Sequence, residues 1–357
     1  MELLSVTMND GVKPRSEIEG KDNSSEDKSN YKIVRKGDMV YNSMRMWQGA
    51  NGISPCDGIV SPAYTVLMPT QEINNGYFAA LFKSANMINE FRKNSQGMTS
   101  DTWNLKYPQI ETIKIQIPSV SEQDKVSELF GVLDARIVAQ AQLVESLKKY
   151  KRGVVRTLLS PKHCSIKNAR WTTSRIGDIG IFIKGAPLSK ADISLEGTPF
   201  ILYGELYTTY SEVISNVVRK TQASVDKQYY SQIGDVIIPT SGETPEEIST
   251  ASCVMLPDII LAGDLNIYRC TQVDGRIMSY ILNHVVNDRI ARIAQGKSIV
   301  HVQAAEISKI EITYPDPFSQ KTIIAILAAI SDRIDQSNAE LRLLNELRKA
   351  LLQKLFI

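Results

Sequence analysis

The sequence has few of the features that mark a metalloprotein, a membrane protein or a secreted protein. Its four cysteines are scattered without CxxC or Cys/His ligand spacing, which predicts reduced thiols and no metal site. No apolar run approaches the roughly 20 residues that a membrane span needs. The stretch from Met1 to Asp22 lacks the basic region and apolar core of a signal peptide. These absences predict a cytoplasmic protein.

Motifs of several catalytic classes are also missing. The sequence has no GxxxxGK[ST] phosphate loop, and its three histidines are not paired with a Ser, Cys or carboxylate at a triad spacing. The nearest match to the Asn/Asp-Pro-Pro-aromatic tetrad of adenine methyltransferases, Asp316-Pro317-Phe318, lacks one proline, and no Pro-Asp pair is followed by the Asp/Glu-x-Lys triplet of common nucleases. The sequence therefore predicts no catalytic residue, no bound metal and no cofactor on this chain.

Strong charge of one sign is absent as well. The chain has 41 Lys and Arg against 39 Asp and Glu, a net charge of +2, so any binding to nucleic acid must come from local basic faces. Its 357 residues, with 43% apolar and 22% charged side chains, are typical of a soluble globular chain of two or three domains.

The main positive feature is an internal repeat. Residues 118 to 159 reappear at 315 to 356, so that Pro118, Gln123 and Arg136 lie 197 positions before Pro315, Gln320 and Arg333. The same displacement relates earlier pairs, namely Leu3 and Phe200, Gly37-Asp38 and Gly234-Asp235, and Ile113 and Ile310. A repeat of this length predicts one architectural unit used twice.

Each repeated segment has a heptad pattern. In the first copy the apolar positions step alternately by four and three residues, and the polar interruptions Gln140 and Lys151 recur as Ser337 and Arg348 in the second copy. The pattern predicts helices over 121–159 and 319–357, each about 60 Å long. The heptad positions form a stripe along each helix, called its seam here, and the two seams are predicted to pack against each other. The alternative is that each helix packs only on its own globular domain.

The remaining segments favour short strands. Alternating apolar runs such as residues 113–117 and 236–238 predict strands. Residues 11–30 are polar and charged, which predicts a surface loop. The sequence Ser121-Glu122-Gln123 predicts the start of the first long helix. Gly37-Asp38 and Gly234-Asp235 are read as turns into strands rather than as catalytic groups. The predicted domains are residues 1–117, 118–165, 166–315 and 316–357.

This order of elements resembles the specificity subunit of type I restriction-modification enzymes. The most specific pieces are Ile115-Gln116-Ile117-Pro118 with Glu122-Gln123, and the tract Tyr31 to Tyr64. The resemblance implies an α+β fold with two β-rich target recognition domains separated by two long antiparallel coiled-coil helices in a pseudo-twofold repeat. It also implies a non-catalytic reader of double-stranded DNA with a bipartite asymmetric site. The implied partners are two methyltransferase subunits, with restriction subunits bound through them, and S-adenosylmethionine, ATP and Mg are expected on the partners.

Two departures from the family pattern stand out. Ser319 lies where the family usually has Glu. The second copy begins near Arg170-Trp171, so the first domain lacks the counterpart of about residues 170 to 197, a segment that in the family forms an opening strand and a DNA-facing loop. Either the first domain is shortened at its amino end, or the first half is compromised as a reader.

Readers of DNA need cationic and bifunctional side chains on loops, with Arg or Lys for guanine and phosphate, Asn or Gln for adenine, and Ser or Thr for phosphate. Trp47 lies in one such loop, although a lone Trp between strands is usually a core residue. The candidate DNA-binding residues are Lys13, Arg15, Asn42, Ser43, Arg45, Gln48, Ser95, Gln96 and Gly97 in the first domain, and Lys184, Lys190, Tyr203, Glu205, Thr240, Ser241, Gln295, Gly296, Lys297, Ser298 and His301 in the second. The alternative function is a coiled-coil scaffold whose globular domains bind protein.

Overall fold

A computed structural model describes residues 1–8, 10–20, 22, 24–294, 296 and 300–356 of the chain. The chain divides into two compact units. Unit 1 comprises Met1–Val144 and Ser337–Ile357, and unit 2 comprises Glu145–Gln336. Each unit therefore contains one globular part and a portion of both long helices.

Unit 1 is built from two small sheets and short helices. Its strands are β1 (Glu2–Thr7), β2 (Gly11–Pro14), β3 (Lys32–Val34), β4 (Met39–Asn42), β5 (Asn51–Ile53), β6 (Gly58–Val60) and β7 (Tyr64–Leu67). Its helices are α1 (Asn75–Leu81), α2 (Ala85–Asn94), α3 (Tyr107–Ile110) and the first part of α4 (Val120–Leu158). The sheet orders are β2-β1-β6-β3 and β5-β4-β7.

Unit 2 repeats this plan with added strands. Its strands are β8 (Trp171–Arg175), β9 (Gly180–Lys184), β10 (Thr198–Leu202), β11 (Val213–Ile214), β12 (Arg219–Thr221), β13 (Asp235–Pro239), β14 (Ser241–Gly242), β15 (Ser252–Val254), β16 (Ile260–Ala262), β17 (Leu265–Cys270), β18 (Val300–His301) and β19 (Glu311–Pro315). Its helices are α5 (Glu205–Thr208), α6 (Pro245–Ile248), α7 (Gly275–His284), α8 (Asn287–Ile293), α9 (Ala304–Ile307) and the first part of α10 (Pro317–Lys354). The sheet orders are β12-β10-β16, β11-β15-β13-β17-β9, β14-β18 and β19-β8.

The internal repeat is confirmed in the strand pairing. Strand β1 pairs with β2 antiparallel and with β6 parallel, and β10 pairs in the same way with β12 and β16. Strand β4 lies between β5 and β7, as β13 lies between β15 and β17. The helices α1, α2, α3 and α4 correspond in order to α7, α8, α9 and α10.

Two buried glutamines fix the long helices to the globular parts in the same way. The side-chain amide of Gln123 donates to the Pro118 carbonyl at 2.9 Å, and its oxygen accepts from the Asn74 backbone N–H at 2.9 Å. Gln320 donates to the Pro315 carbonyl and accepts from the Asp274 N–H, both at 2.8 Å. Asn74 and Asp274 cap α1 and α7. Each glutamine thus joins the start of a long helix to the start of a short one.

The heptad seams are buried or half-buried along both helices, except that Leu355 lies beyond the end of α10 and is 44% exposed. Within unit 1, Arg136 pairs with Glu340 at 2.8 Å, the Gln140 amide donates to the Ser337 carbonyl at 3.0 Å, and Arg348 pairs with Asp134. The partner number falls as the α4 number rises, so the helices are antiparallel as predicted. In the described part of the chain, no helix is long and apolar enough to span a membrane.

In unit 2 the long helices also pack on the globular part. Val155 and Leu158 of α4 and Ile323 and Leu327 of α10 share one buried cluster with α7 and the five-stranded sheet. Burying each such side chain stabilises the fold by about 1.5 to 3 kcal/mol. The two packing alternatives for the helices are therefore combined, since each helix contacts both the other helix and a globular part.

The starts of the long helices correct one sequence-based expectation. Helix α4 begins at Val120, and its capping residue is Ser119 rather than Ser121, because the Glu122 carboxylate accepts from the Ser119 backbone N–H at 3.1 Å. In α10 the Asp316 carboxylate accepts from the Ser319 hydroxyl and backbone N–H. Hydrogen bonding to Ser319 is the main reason why the pKa of Asp316 falls to about 2. Ser319 thus replaces the family's Glu without loss of the cap.

Two predicted elements are wrong. Residues 11–30 are not all loop, because Gly11–Pro14 forms β2. Residues 113–117, predicted as a strand, belong to no strand, whereas of their equivalents 310–314 in unit 2 all but Ile310 lie in β19. Strand β19 exists because it pairs with β8, and the described part of unit 1 has no counterpart of β8. Residues 113–117 thus have the alternating apolar pattern of a strand, but the described part of unit 1 has no strand for them to pair with.

Both Gly-Asp pairs form the turns that the sequence indicates. Gly37 and Gly234 have φ of 91° and 95°, a conformation that glycine adopts without strain. The carboxylates of Asp38 and Asp235 accept the backbone N–H of the residue three positions earlier, at 2.8 Å in both cases. The pairs therefore shape the entry into β4 and β13.

Candidate DNA interface

Two loops of unit 1 come together at the ends of β4 and α2. We call residues 42–50 and 92–106 the first loop cluster. In the first of these segments, the Asn42 N–H donates to the Ala50 carbonyl at 2.9 Å and closes the loop. The second segment is attached to it because the Leu105 N–H donates to the Ser43 carbonyl at 2.8 Å. The two loops therefore form one surface.

Aromatic rings and a cation lie at the centre of this surface. Trp47 is half-buried and packs edge-on against Trp103, with ring centroids 5.2 Å apart, and its indole N–H donates to the Met44 carbonyl at 3.1 Å. The exposed Arg92 guanidinium lies over the Trp47 ring at 5.7 Å. Trp47 is thus part of the loop cluster, and the sequence reading missed Trp103 and Arg92, whose positions in the chain gave no signal.

Most candidate residues of the first domain belong to this cluster. Arg45, Gln96 and Gly97 are exposed, while Ser43 is 8% exposed and its hydroxyl lies 3.3 Å from that of Thr65. Gly97 has φ of 152°, and a Cβ there would lie 2.7 Å from the Thr102 backbone. Asn42, Gln48 and Ser95 are half-buried within the same cluster.

Lys13 and Arg15 lie on a different element, namely β2 and the turn after it. The Lys13 ammonium is 3.4 Å from Asp10. The Arg15 guanidinium donates to the carbonyls of Ile18 and Gly20, at 2.8 and 3.0 Å, and so holds the chain that follows β2. As DNA contacts both residues stay predictions.

In unit 2, a cavity of about 620 Å³ gathers several predicted residues. We call the segments that surround it, residues 182–184, 240–242, 264–266 and 300–305, the second loop cluster. The cavity is lined in part by Lys184, Thr240 and His301, together with Asp264 and Asn266, which the sequence reading missed. Lys184 and His301 are exposed, so the mouth of the cavity has a cation and an imidazole.

Buried polar residues lie in and beside this cavity. The Ser241 hydroxyl, itself buried, donates to Asp264 at 2.9 Å, and Ser241 pairs with His301 across β14 and β18. Asn266 is 4% exposed, and its side-chain nitrogen has no hydrogen-bond partner among the described residues. A buried donor without a partner is costly, so this amide is suited to a water molecule or ligand in the cavity.

The other candidates of the second domain are spread around β9 and β10. Lys190 is exposed in a short turn, and Tyr203 is half-buried after β10. Glu205 is 7% exposed, because its carboxylate accepts from the Leu202 N–H at 3.1 Å and from Arg219 at 3.0 Å. Glu205 thus holds the turn after β10, and its contact with DNA stays a prediction.

The Gln-Gly loop of the second domain is only partly described. Gly296 is exposed, with φ of 135°. Gln295, Lys297 and Ser298 lie outside the described residues.

The two loop clusters are related by the repeat. The Val302 N–H donates to the Thr240 carbonyl at 3.0 Å, and both residues lie 197 positions after Leu105 and Ser43, which form the equivalent bond in unit 1. Two loops joined by the same bond thus occur once in each unit. In the ranges given above for the structure, no group of three or more His, Cys, Asp and Glu residues could hold a metal ion.

The model of the type I restriction modification DNA specificity domain family matches residues 168–346 of the chain. The chain belongs to this family. The chain also resembles a specificity subunit along most of its length. The MjaX type I restriction enzyme specificity subunit of Methanocaldococcus jannaschii is 23% identical over 294 residues, which cover 78% of this chain and 66% of that protein. The match thus spans just under two thirds of that relative's length.

Solved structures show that the fold is shared. The S subunit of a type I restriction-modification system from M. genitalium has a TM-score of 0.58 and 16% identity, over 91% of this chain and 84% of that chain. A chain solved to explain complex assembly and conformational transition of the type I R-M system has a TM-score of 0.60 and 16% identity, over 93% and 84%. These neighbours support the α+β fold with long helices.

Proposed function

We propose that this chain is the non-catalytic DNA-reading subunit of a type I restriction-modification complex. Each loop cluster reads one half of a bipartite, asymmetric site in double-stranded DNA. The observation that carries the proposal is the equivalent pair of joined loops, held by the Leu105–Ser43 bond in unit 1 and the Val302–Thr240 bond in unit 2. Because the loop sequences differ within a common frame, the two halves of the site differ as well.

The proposed partners are two methyltransferase subunits, with restriction subunits attached through them. S-adenosylmethionine, ATP and Mg are then bound by the partners and not by this chain. The internal repeat supports two equivalent docking faces, because a repeated unit presents the same surface twice. Family membership favours this function over a scaffold that binds only protein.

Salt-dependent DNA binding tests the proposal. Neutralising Z phosphates gives a slope of log K against log salt of about −0.9Z, so four phosphate contacts weaken binding by about 10²-fold between 50 and 200 mM salt. In a gel shift with host DNA fragments, Arg92→Ala or Lys184→Ala should reduce the slope by about one. Lys148→Ala, in α4, is the matched control and should leave the slope unchanged, since this lysine is 44% exposed and pairs with Glu145. Salt-independent binding by the native chain contradicts DNA reading.

The two halves of the site should be read with unequal stringency. The five-stranded sheet of unit 2 continues from β17 to β9, whereas among the described residues the three-stranded sheet of unit 1 ends at β7. An open edge leaves the first loop cluster on a less ordered support. Base substitutions in the half-site of the second cluster should cost the usual roughly 1 to 3 kcal/mol each, and those in the other half-site less. Competition binding across all single-base variants measures both, and equal penalties would refute the asymmetry.

A further inference from the structure

A cavity of about 260 Å³ in unit 1 is lined by residues of α1, α4 and α10. Lys83, which follows α1, lines it together with Asp134 of α4 and Arg348 of α10. Lys83 is half-buried, and among the described residues its ammonium has no hydrogen bond or ion pair. Burial disfavours the charged form of an amine that has no anion to pair with, so the proton of Lys83 is weakly held.

The charged neighbours of Lys83 do not neutralise it. The Asp134 carboxylate already binds Arg348 through two guanidinium nitrogens. Asp10, also at the cavity, lies 3.4 Å from Lys13. Burial and the repulsion of Arg348 lower the pKa of Lys83 to about 8, although the attraction of Asp134 and Asp10 acts in the opposite direction. Part of this amine is therefore unprotonated near neutral pH.

Unit 2 has an equivalent cavity, of about 200 Å³. It is lined by Ser331 and Lys151, which correspond to Asp134 and Arg348 at the displacement of 197. The cavity therefore belongs to the repeated plan of the two units, and the two copies can be compared residue by residue.

The position of Lys83 is filled differently in unit 2. The capping residues Asn74 and Asp274 are 200 positions apart, so Lys83 corresponds to Asn283. The Asn283 amide donates to the Ala251 carbonyl at 2.6 Å and accepts from the Ala251 N–H at 3.0 Å. Unit 2 thus has a neutral, hydrogen-bonded side chain where unit 1 has a lysine without a partner.

The lysine of the unit 2 cavity is held in its charged form. Burial alone would lower the pKa of Lys151, but the attraction of Glu212 and Tyr280 outweighs it and raises the pKa. The Lys151 ammonium pairs with the Glu212 carboxylate at 2.8 Å. Two lysines at equivalent cavities therefore differ in reactivity, since only an unprotonated amine is a nucleophile.

We propose that Lys83 is an acylation site whose unprotonated amine reacts with a small acyl phosphate that enters the cavity. The nitrogen attacks the acyl carbon, the N–C bond forms, and the bond from that carbon to the phosphate oxygen breaks. Phosphate leaves with the electron pair and takes up the proton that the amine loses. Burial and a neighbouring cation are both known to activate lysine as a nucleophile, and the Arg348 guanidinium attracts the phosphate of the donor.

Acetylation of the full-length chain by acetyl phosphate at pH 7.5 tests the proposal, with each lysine followed by peptide mass spectrometry. About a quarter of an amine with a pKa of about 8 is unprotonated at this pH, against about 0.1% of an ordinary lysine. A less basic nucleophile is also intrinsically weaker, as it is for thiols, so Lys83 should react at least about tenfold faster than Lys148 and Lys151. Lys148 is the control for accessibility, because it is 44% exposed, and Lys151 is the control for the cavity.

Two further measurements distinguish an activated amine from an accessible one. The rate at Lys83 should rise only about fourfold from pH 7.5 to pH 9 and then level off, because the amine is by then unprotonated. Arg348→Gln should slow acetylation of Lys83 at least about threefold at pH 7.5, since it removes the repelling cation and frees the Asp134 carboxylate.

Three results would overturn the assignment of Lys83. They are equal rates at Lys83 and Lys148, a rate at Lys83 that keeps rising beyond pH 10, and a rate that R348Q leaves unchanged. If R348Q does not fold, the rates and the pH profile of the native chain decide alone.

Discussion

Removing one heptad from each long helix is expected to shorten the spacer between the two half-sites by about three base pairs. The matched deletions are residues 137–143 of α4 and 334–340 of α10, which are centred on the hydrogen-bonded pair Gln140 and Ser337. Each removes about 10 Å of helix at 1.5 Å per residue, and B-DNA rises 3.4 Å per base pair. Because a heptad is the repeat of the seam, the remaining layers keep their pairing.

Methylation-site mapping with the reconstituted complex measures the spacer. Gln140→Ala is the control, because it removes the central hydrogen bond and leaves the helix length unchanged, so its spacer should equal that of the native chain. A shortened chain that still directs methylation to sites with the native spacer contradicts the role of the helices as a ruler.

Replacing Glu212 by Gln is expected to lower the free energy of unfolding by about 3 kcal/mol, because it leaves a mostly buried cation without its anion. The carboxylate of Glu212 accepts from Lys151 of α4 and lies against the His284 ring nitrogen, both at 2.8 Å. The side chains of Lys151 and Glu212 are only 11% and 16% exposed. The matched control is Glu145→Gln, because the Glu145–Lys148 pair has the same length but is exposed, and its loss should cost less than about 1 kcal/mol.

The Glu212 carboxylate also makes the stability of the fold depend on pH. Burial alone would raise the pKa of Glu212, but the hydrogen bond to His284 and the attraction of Lys151 outweigh it and lower the pKa to about 2. Because the folded pKa lies below the ordinary value of 4.5, the stabilisation is complete above about pH 4.5 and is lost as the pH falls towards 2. Denaturant unfolding from pH 6 to pH 2.5 should show a smaller loss in the Glu212→Gln variant than in the native chain. Parallel pH profiles for the two proteins would exclude this role.

The long helices could be predicted closely from the sequence, since their signal is periodic and local. Helix α4 ends at Leu158, one residue before the predicted end, and the polar seam residues Gln140 and Lys151 are buried as part of it. The sequence did not show why a lysine lies in the seam. Its partner Glu212 is 61 residues away, and only the fold brings them together.

The globular parts were harder to predict because their strands depend on distant partners. Residues 113–117 have the alternation of a strand, yet β19 forms only because β8 lies beside it. The loop clusters show the same limit. Asn42, Ser43 and Gln96 could be selected by residue type, but the packing of Trp47 on Trp103 and the place of Asn266 in a cavity depend on contacts over long sequence distances.

The most direct measurement is reconstitution of methylation on host genomic DNA. The purified chain, the methyltransferase subunits of its own system, and the two together are each incubated with S-adenosylmethionine, and methylated adenines are mapped by sequencing. We expect no methylation by the chain alone, and methylation at one bipartite asymmetric motif when the subunits are mixed. Substitutions of base-reading candidates in the second loop cluster, such as His301→Ala, should relax one half of that motif and leave the other half unchanged. Turnover by the chain alone, or the same methylated sites with and without it, would contradict the account.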